Sequence, residues 1–234
     1  MAIFVVCHGA WSAGWAWRKM HPLMAARGHR IYTPSHTGLG ERAHLAGPHV
    51  DLELHIADIM NVLEYEDLRD VILIGHSYGG MVATGVADRM RGRVGRIVYV
   101  DAYAPRDGDS VFSLVPDRRE SMGEAARRHG DGWKMPPTPL PADTAAEDVP
   151  WANARRIPQP IRTFEQPLRL PDGEPPQPRH YIYCTRITPG DRFRPYLERA
   201  RAEGWGAFEI DASHNPHVTA PQALADILDR IARG

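Results

Sequence analysis

The 234-residue chain holds only two cysteines, Cys7 and Cys184, so at most one disulfide could form. Both lie in apolar, strand-like runs and read as free buried thiols, which makes a reducing, cytoplasmic compartment the expected location. No apolar run approaches the ~20 residues of a membrane span, so no membrane partner is expected. No basic stretch precedes the apolar start from Met1 to His8, and no signal peptide is expected. Neither charge sign dominates: 28 Lys+Arg against 29 Asp+Glu gives a net charge of -1 with no basic block, which excludes the footprint of a nucleic-acid binder. The 24% charged content excludes wholesale disorder, and the length fits one domain, or one domain carrying an insertion.

What is present is an alternation. Ile3 to Cys7 reads as a strand buried on both faces, Trp17 to Arg27 as a helix closed by Gly28, and Arg30 to Thr33 as a short strand. A Gly-, Pro- and His-rich loop runs from Pro34 to Pro48. Asp51 to Glu66 places Leu52, Ile56, Ile59, Met60 and Leu63 on one helical face. Val71 to Ile74 is a strand, Gly80 to Met90 a helix and Arg96 to Val100 a strand. Such alternation predicts an α/β fold: a mainly parallel sheet with helices on both faces.

Between Pro105 and Pro178 the pattern breaks. Fourteen of the 21 prolines fall there, more than βα alternation tolerates. The sequence divides into a core over 1–104 and 179–234 and an inserted cap over 105–178. The helical pieces of the cap are expected at Ser121 to Arg128 and Val149 to Arg156. A disordered linker is the alternative, against which Trp133, Trp151, Phe164 and Leu168 speak. Alternation resumes with Tyr181 to Cys184, a helix from about Arg194 to Glu203, the strand Ala207 to Ile210 and a helix from Pro221.

Gly75-His76-Ser77-Tyr78-Gly79 fits G-x-S-x-G between an aliphatic strand and a helix. There the serine is forced out of the top of the sheet, and small neighbours let strand and helix approach closely. A serine hydroxyl is a poor nucleophile, so a base must lie within hydrogen-bond reach. Two histidines follow the last strand. His214 is favoured, being nearest the strand end, and His217 is expected to cap or pack against the final helix. An oxyanion needs two preorganised donors. The N–H of Tyr78, at a helix N-terminus, and that of Ala10, in the loop His8-Gly9-Ala10-Trp11, are the expected pair, with Trp11 the next candidate. Trp11, Trp133 and Trp151 suggest an apolar substrate pocket, with core and cap packing as the plainer role for tryptophan.

His8 to Trp11 followed by Gly14-Trp15 and Trp17, the stretch Gly75 to Met81, and Ala212-Ser213-His214 together resemble the α/β-hydrolase superfamily. The branch they resemble holds plant methylesterases, hydroxynitrile lyases and bacterial pyrethroid-hydrolase-type carboxylesterases. Thr37 to Leu45 is most similar to the bacterial esterases of that branch. The resemblance implies a Ser-His-acid esterase that needs no cofactor. The expected activity is that of a carboxylesterase on a small to medium apolar ester, with no metal, and a homodimer is one open oligomeric state. Lyases of the branch carry a lysine after the histidine and a threonine after the first-strand histidine; Asn215 and Gly9 stand there instead. The departure is the acid. The stretch Cys184 to Thr188, where the family usually carries it, has no carboxylate. Asp101, at the end of the strand beside the nucleophile strand, is favoured over Asp191, whose plainer role is a helix cap. A purely structural Asp101 is the remaining alternative. A non-catalytic small-molecule receptor of the same fold, and a pathway-specific biosynthetic hydrolase, are the competing functions.

Overall fold

The protein is described here from a computed structural model covering residues 1–186 and 191–234. Its strands are β1 (Ile3–Cys7), β2 (Arg30–Tyr32), β3 (Val71–His76), β4 (Val94–Val100), β5 (Lys134–Met135), β6 (Gln159–Pro160), β7 (Arg179–Cys184) and β8 (Gly206–Ile210). The six longer or core strands form one sheet, ordered β2-β1-β3-β4-β7-β8, with every adjacent pair parallel. The helices are α1 (Met20–Ala26), α2 (Leu52–Tyr65), α3 (Gly79–Arg89), α4 (Val111–Leu114), α5 (Pro116–His129), α6 (Asp148–Asn153), α7 (Arg162–Glu165), α8 (Arg194–Ala202), α9 (Pro216–Thr219) and α10 (Pro221–Arg233).

Because side chains alternate along a strand, each central strand feeds two cores. Phe4 and Val6 of β1, with Ile72 and Ile74 of β3, pack against Met20, Met24, Leu224 and Leu228 of α1 and α10. Val5 and Cys7, with Leu73, face the opposite way, onto Ile56 and Ile59 of α2 and Met81 and Val82 of α3. Asp51 caps α2 by accepting from the Leu54 N–H at 3.0 Å, which is why that helix starts one residue after it.

Several boundaries differ from the sequence reading: β4 starts at Val94, not Arg96, α6 ends at Asn153, not Arg156, and two helix starts shift for a reason that lies in proline. The helix expected from Trp17 is a 3-10 turn over Gly14–Trp17 followed by α1 from Met20. Pro22 explains the shift, because a longer helix would put its ring against the carbonyl four residues earlier, whereas in the first turn no donor is lost. The helical piece expected from Ser121 begins at Pro116, the position in a helix that suits proline best. The segment 105–178 folds as α4 to α7 around the antiparallel pair β5 and β6.

The strand order places the site. After β1 the chain turns to one side of the sheet, and after β3 it turns to the other. The loops leaving these two neighbours diverge and open a crevice at the carboxyl edge. Among the described residues no helix is long and apolar enough to cross a membrane.

Candidate active site

Ser77 follows β3 directly and holds φ at +53°, a left-handed backbone that a non-glycine residue adopts only under constraint. The constraint is close packing. A Cβ on Gly79 would lie 1.9 Å from the Cys7 carbonyl oxygen, and one on Gly80 the same distance from that of Tyr103. Glycine at both positions lets α3 start against the ends of β1 and β4, and the turn between β3 and α3 is held sharp. The Tyr78 ring anchors the turn from below: it is fully buried, stacks on Phe164 with centroids 5.6 Å apart, and donates its hydroxyl proton to His55 Nδ1 at 3.0 Å.

The loop after β8 carries His214 over the sheet edge. Its Nε2 accepts from the Ser77 hydroxyl at 2.9 Å, and its Nδ1–H donates to Asp101 Oδ2 at 2.7 Å. Asp101 is the first residue after β4. It also sits at positive φ (+43°), and its second oxygen accepts the Cys184 N–H at 3.2 Å. With 5% exposure the carboxylate has little water to turn towards, so both oxygens are committed. Phe193 stacks on the His214 ring at 5.1 Å and 8°. Beneath it, His76 Nε2–H donates to the His214 carbonyl at 2.7 Å, fixing the backbone that presents the ring.

The other candidates are placed as follows. Asp191 is bonded elsewhere than to His214: it accepts from the Tyr183 hydroxyl at 2.7 Å and from Arg194 Nε at 2.8 Å, and takes the Arg194 N–H at the start of α8. Residues 187–190, which include Ile187 and Thr188 of the stretch that lacks a carboxylate, lie outside the described residues. His217 is buried and stacks flat on Trp17, with centroids 4.4 Å apart. Burial, followed by the neighbouring His214 and His8, lowers its pKa to about 3, so it stays neutral.

Gly9 passes so close to the nucleophile turn that a Cβ on it would meet Ser77 Cβ at 3.2 Å and His76 Nδ1 at 2.8 Å. Among the described residues the N–H groups of Ala10 and Tyr78 have no intramolecular acceptor. The Trp11 N–H is taken by Gln159 Oε1 at 3.1 Å, which removes it from the pair of donors. Trp11 sits at φ +57°, and its indole donates to the Met135 carbonyl at 2.9 Å.

A cavity of about 540 Å³ opens over Ser77, walled by Trp11, Phe164, Phe193 and Met122 among others. Trp11 is thus at the cleft, but Trp133 and Trp151 are not. Trp133 lines a separate hollow with Phe112 and Arg119, and Trp151 packs edge-on against Trp15 at 4.9 Å with the Arg18 guanidinium 3.7 Å over its ring. Trp133 immediately precedes β5, and its carbonyl accepts the Ile161 N–H at 2.8 Å. Through its contacts with Trp15 and Arg18, Trp151 is one of the residues that join α6 to the first 3-10 turn and the residue after it.

Several residues of the site were not read from the sequence. Gln159 is fully buried and ties the β1 loop to the cap. Lys19 spans Asp148 of α6, at 2.5 Å, and the Val218 carbonyl of α9, at 3.2 Å. Asp143 accepts from both the N–H and the hydroxyl of Ser213, next to His214 in the loop after β8. None belongs to a motif, since each partner lies about 70 or more residues away; only His76, inside the motif, carried a signal. Among the described residues no group of three or more His, Cys, Asp or Glu side chains is arranged to hold a metal ion.

Residues 4–227 match the family model described as "Alpha/beta hydrolase family". The chain belongs to the alpha/beta hydrolase family. This alpha/beta hydrolase is similar to the carbendazim hydrolyzing esterase of Nocardioides sp. (strain SG-4G), 39% identical over 97% of this chain and 98% of the relative. Among solved structures, an extracellular alpha/beta-hydrolase from a Paenibacillus species superposes with a TM-score of 0.83 at 26% identity, covering 98% of both chains. A pyrethroid hydrolase from Sphingobium faniae JZ-2 superposes at 0.78 with 22% identity over 100% of this chain and 98% of that one, a likeness of fold.

Proposed function

We propose that this alpha/beta hydrolase is a carboxylesterase that cleaves a small to medium ester with a largely apolar body through an acyl-enzyme on Ser77. The observation that carries the reading is the continuous hydrogen-bonded run from the Ser77 hydroxyl through His214 to Asp101, at 2.9 and 2.7 Å, beside a cavity. The similarity to esterases supports it at the level of the reaction.

Ser77 Oγ attacks the ester carbonyl while His214 Nε2 takes its proton, and Asp101 stabilises the imidazolium and keeps its Nδ1–H oriented. The N–H groups of Ala10 and Tyr78 receive the oxyanion, each lowering the barrier by roughly 3 kcal/mol. The tetrahedral intermediate collapses, His214 returns the proton to the departing alkoxide, and the alcohol leaves. Water then repeats the sequence with His214 as base, releasing the carboxylic acid and restoring the Ser77 hydroxyl. The proposal extends to a cytoplasmic setting, which suits two buried, unpaired thiols.

The test is turnover of p-nitrophenyl butyrate and of carbendazim, with Ser77→Ala as control. An acyl adduct on the parent protein, found by mass spectrometry and missing from the variant, is the expected result. The absence of any Ser77-dependent release would overturn the reading and favour a small-molecule binding protein on this fold.

A further inference from the structure

Among the described residues, the walls of the cleft carry four arginines (Arg118, Arg156, Arg186 and Arg192) against two carboxylates, Asp101 and Asp191. Neither carboxylate is available to balance this charge. Asp101 is engaged by His214 and the Cys184 N–H, and Asp191 by Tyr183 and Arg194. Arg186 is paired with Asp211 at 2.9 Å and with Asp143 at 3.5 Å. The other three have no carboxylate within 4.0 Å among the described residues, and residues 187–190 contain none.

Arg118 of α5 and Arg192, two residues ahead of α8, line the same space, beside Tyr103, Val115 and Phe193. Both are half-buried. Burial, and next the like charge of Arg192, hold the Arg118 guanidinium below its ordinary range. Two such groups lining one partly dry cleft, with no carboxylate of the chain paired to either, repel until something negative lies between them. A guanidinium presents a planar fork that matches a carboxylate with two parallel hydrogen bonds. Arg156 adds a third unpaired cation, half-buried and tethered to the Thr138 carbonyl in the cap.

We propose that Arg118 and Arg192 form an anion subsite of the cleft, and that the substrate is an ester carrying a carboxylate remote from the bond that is cleaved. The inference rests on the esterase reading and narrows its substrate class: an apolar body against Trp11, Phe164 and Met122, ending in a negative group between the two arginines. It also gives the cap a function, because only one arginine of the pair belongs to the core.

The experiment compares matched esters by pH-stat. Monomethyl adipate and methyl hexanoate differ only at the far end of the acyl chain; 5-acetoxypentanoate and pentyl acetate differ only at the far end of the alcohol. At least one anionic ester should exceed its neutral partner about tenfold in kcat/KM, the size expected of a charge-assisted hydrogen-bonded pair. In Arg118→Met and Arg192→Met that ratio should fall about tenfold through KM, and Arg118→Lys should restore part of it. Arg119→Met, in the separate hollow on the same helix, should keep the parental ratio. Adipate binding to Ser77→Ala, measured by calorimetry, gives a readout free of turnover and should be lost in Ser77→Ala/Arg118→Met/Arg192→Met. Equal or better use of both neutral esters, or a preference that survives the double arginine variant, overturns the subsite. Adipate binding that depends on the arginines, in a protein that turns over no ester, would instead overturn the esterase reading and leave the subsite standing.

Discussion

At the residue scale the question is which carboxylate serves His214. Distance and commitment both favour Asp101, whose Oδ2 lies 2.7 Å from Nδ1, while Asp191 is bound to Tyr183 and Arg194. Asp101→Asn should lower kcat by about 10³ to 10⁴, because an amide cannot both fix the imidazole tautomer and stabilise the imidazolium. Asp191→Asn should leave kcat near the parent value. Steady-state kinetics on one ester decides it, and the reverse pattern would move the acid to Asp191. His76 acts through another residue: it is a positioning group, donating to the carbonyl of His214 from a ring kept neutral chiefly by burial.

At the scale of elements, the turn joining β3 to α3 and the joint between cap and core carry the site. Gly79→Ala would place a methyl group 1.9 Å from the Cys7 carbonyl oxygen, a backbone clash that no rotamer relieves. We expect a loss of more than about 4 kcal/mol, seen as failure to recover folded protein, and a normally stable variant would refute the packing argument. Lys19→Met strands Asp148, which is 3% exposed. With a third of the lysine solvated, the cost should be about 2 kcal/mol, below that of breaking a fully buried pair. Hydrogen exchange should accelerate over α6 before the sheet responds; uniform protection in the variant would mean the cap is held by its apolar contacts alone. The glycines of the turn were legible because a motif of local spacing carries its own steric reason. The joint was not, because its polar pairs span 70 to 199 residues and no local pattern encodes them.

At the scale of the whole molecule, the unusual feature is a set of buried neutral histidines. His8, His36 and His55 form a column with ring centroids 3.9 and 4.7 Å apart behind the β1 loop, and His76 and His217 lie under His214. Burial lowers the pKa of His8 and His55 to about 4 and that of His217 to about 3, and drives those of His36 and His76 well down. In the unfolded chain these rings take up protons near pH ~6.5. Below that pH the unfolded state binds more protons than the folded one, so stability is full above about 6.5 and is lost as pH falls towards 4. Each histidine contributes up to about 1.4 kcal/mol per pH unit in that window. The urea midpoint should drop steeply between pH 7.5 and 5.5. His36→Phe should make the slope shallower by one histidine's share, since neither nitrogen of that ring has a partner among the described residues. A midpoint flat across the window would mean that these rings accept protons in the folded state.

The sequence alone determined the parallel α/β architecture, the turn that presents Ser77 and the loop that presents His214, because strand periodicity and a strand-turn-helix motif are local and leave their physics in adjacent residues. It ranked Asp101 first for the acid without being able to measure it, and it placed Trp133 and Trp151 in a pocket they do not line. Only the tertiary structure set the approach of Asp101 to His214, the surroundings of the two tryptophans and the cavity that Arg118 and Arg192 both line. Each is a distance between residues far apart in the chain, and such distances are set by how the cap packs on the core rather than by the order of the amino acids around them.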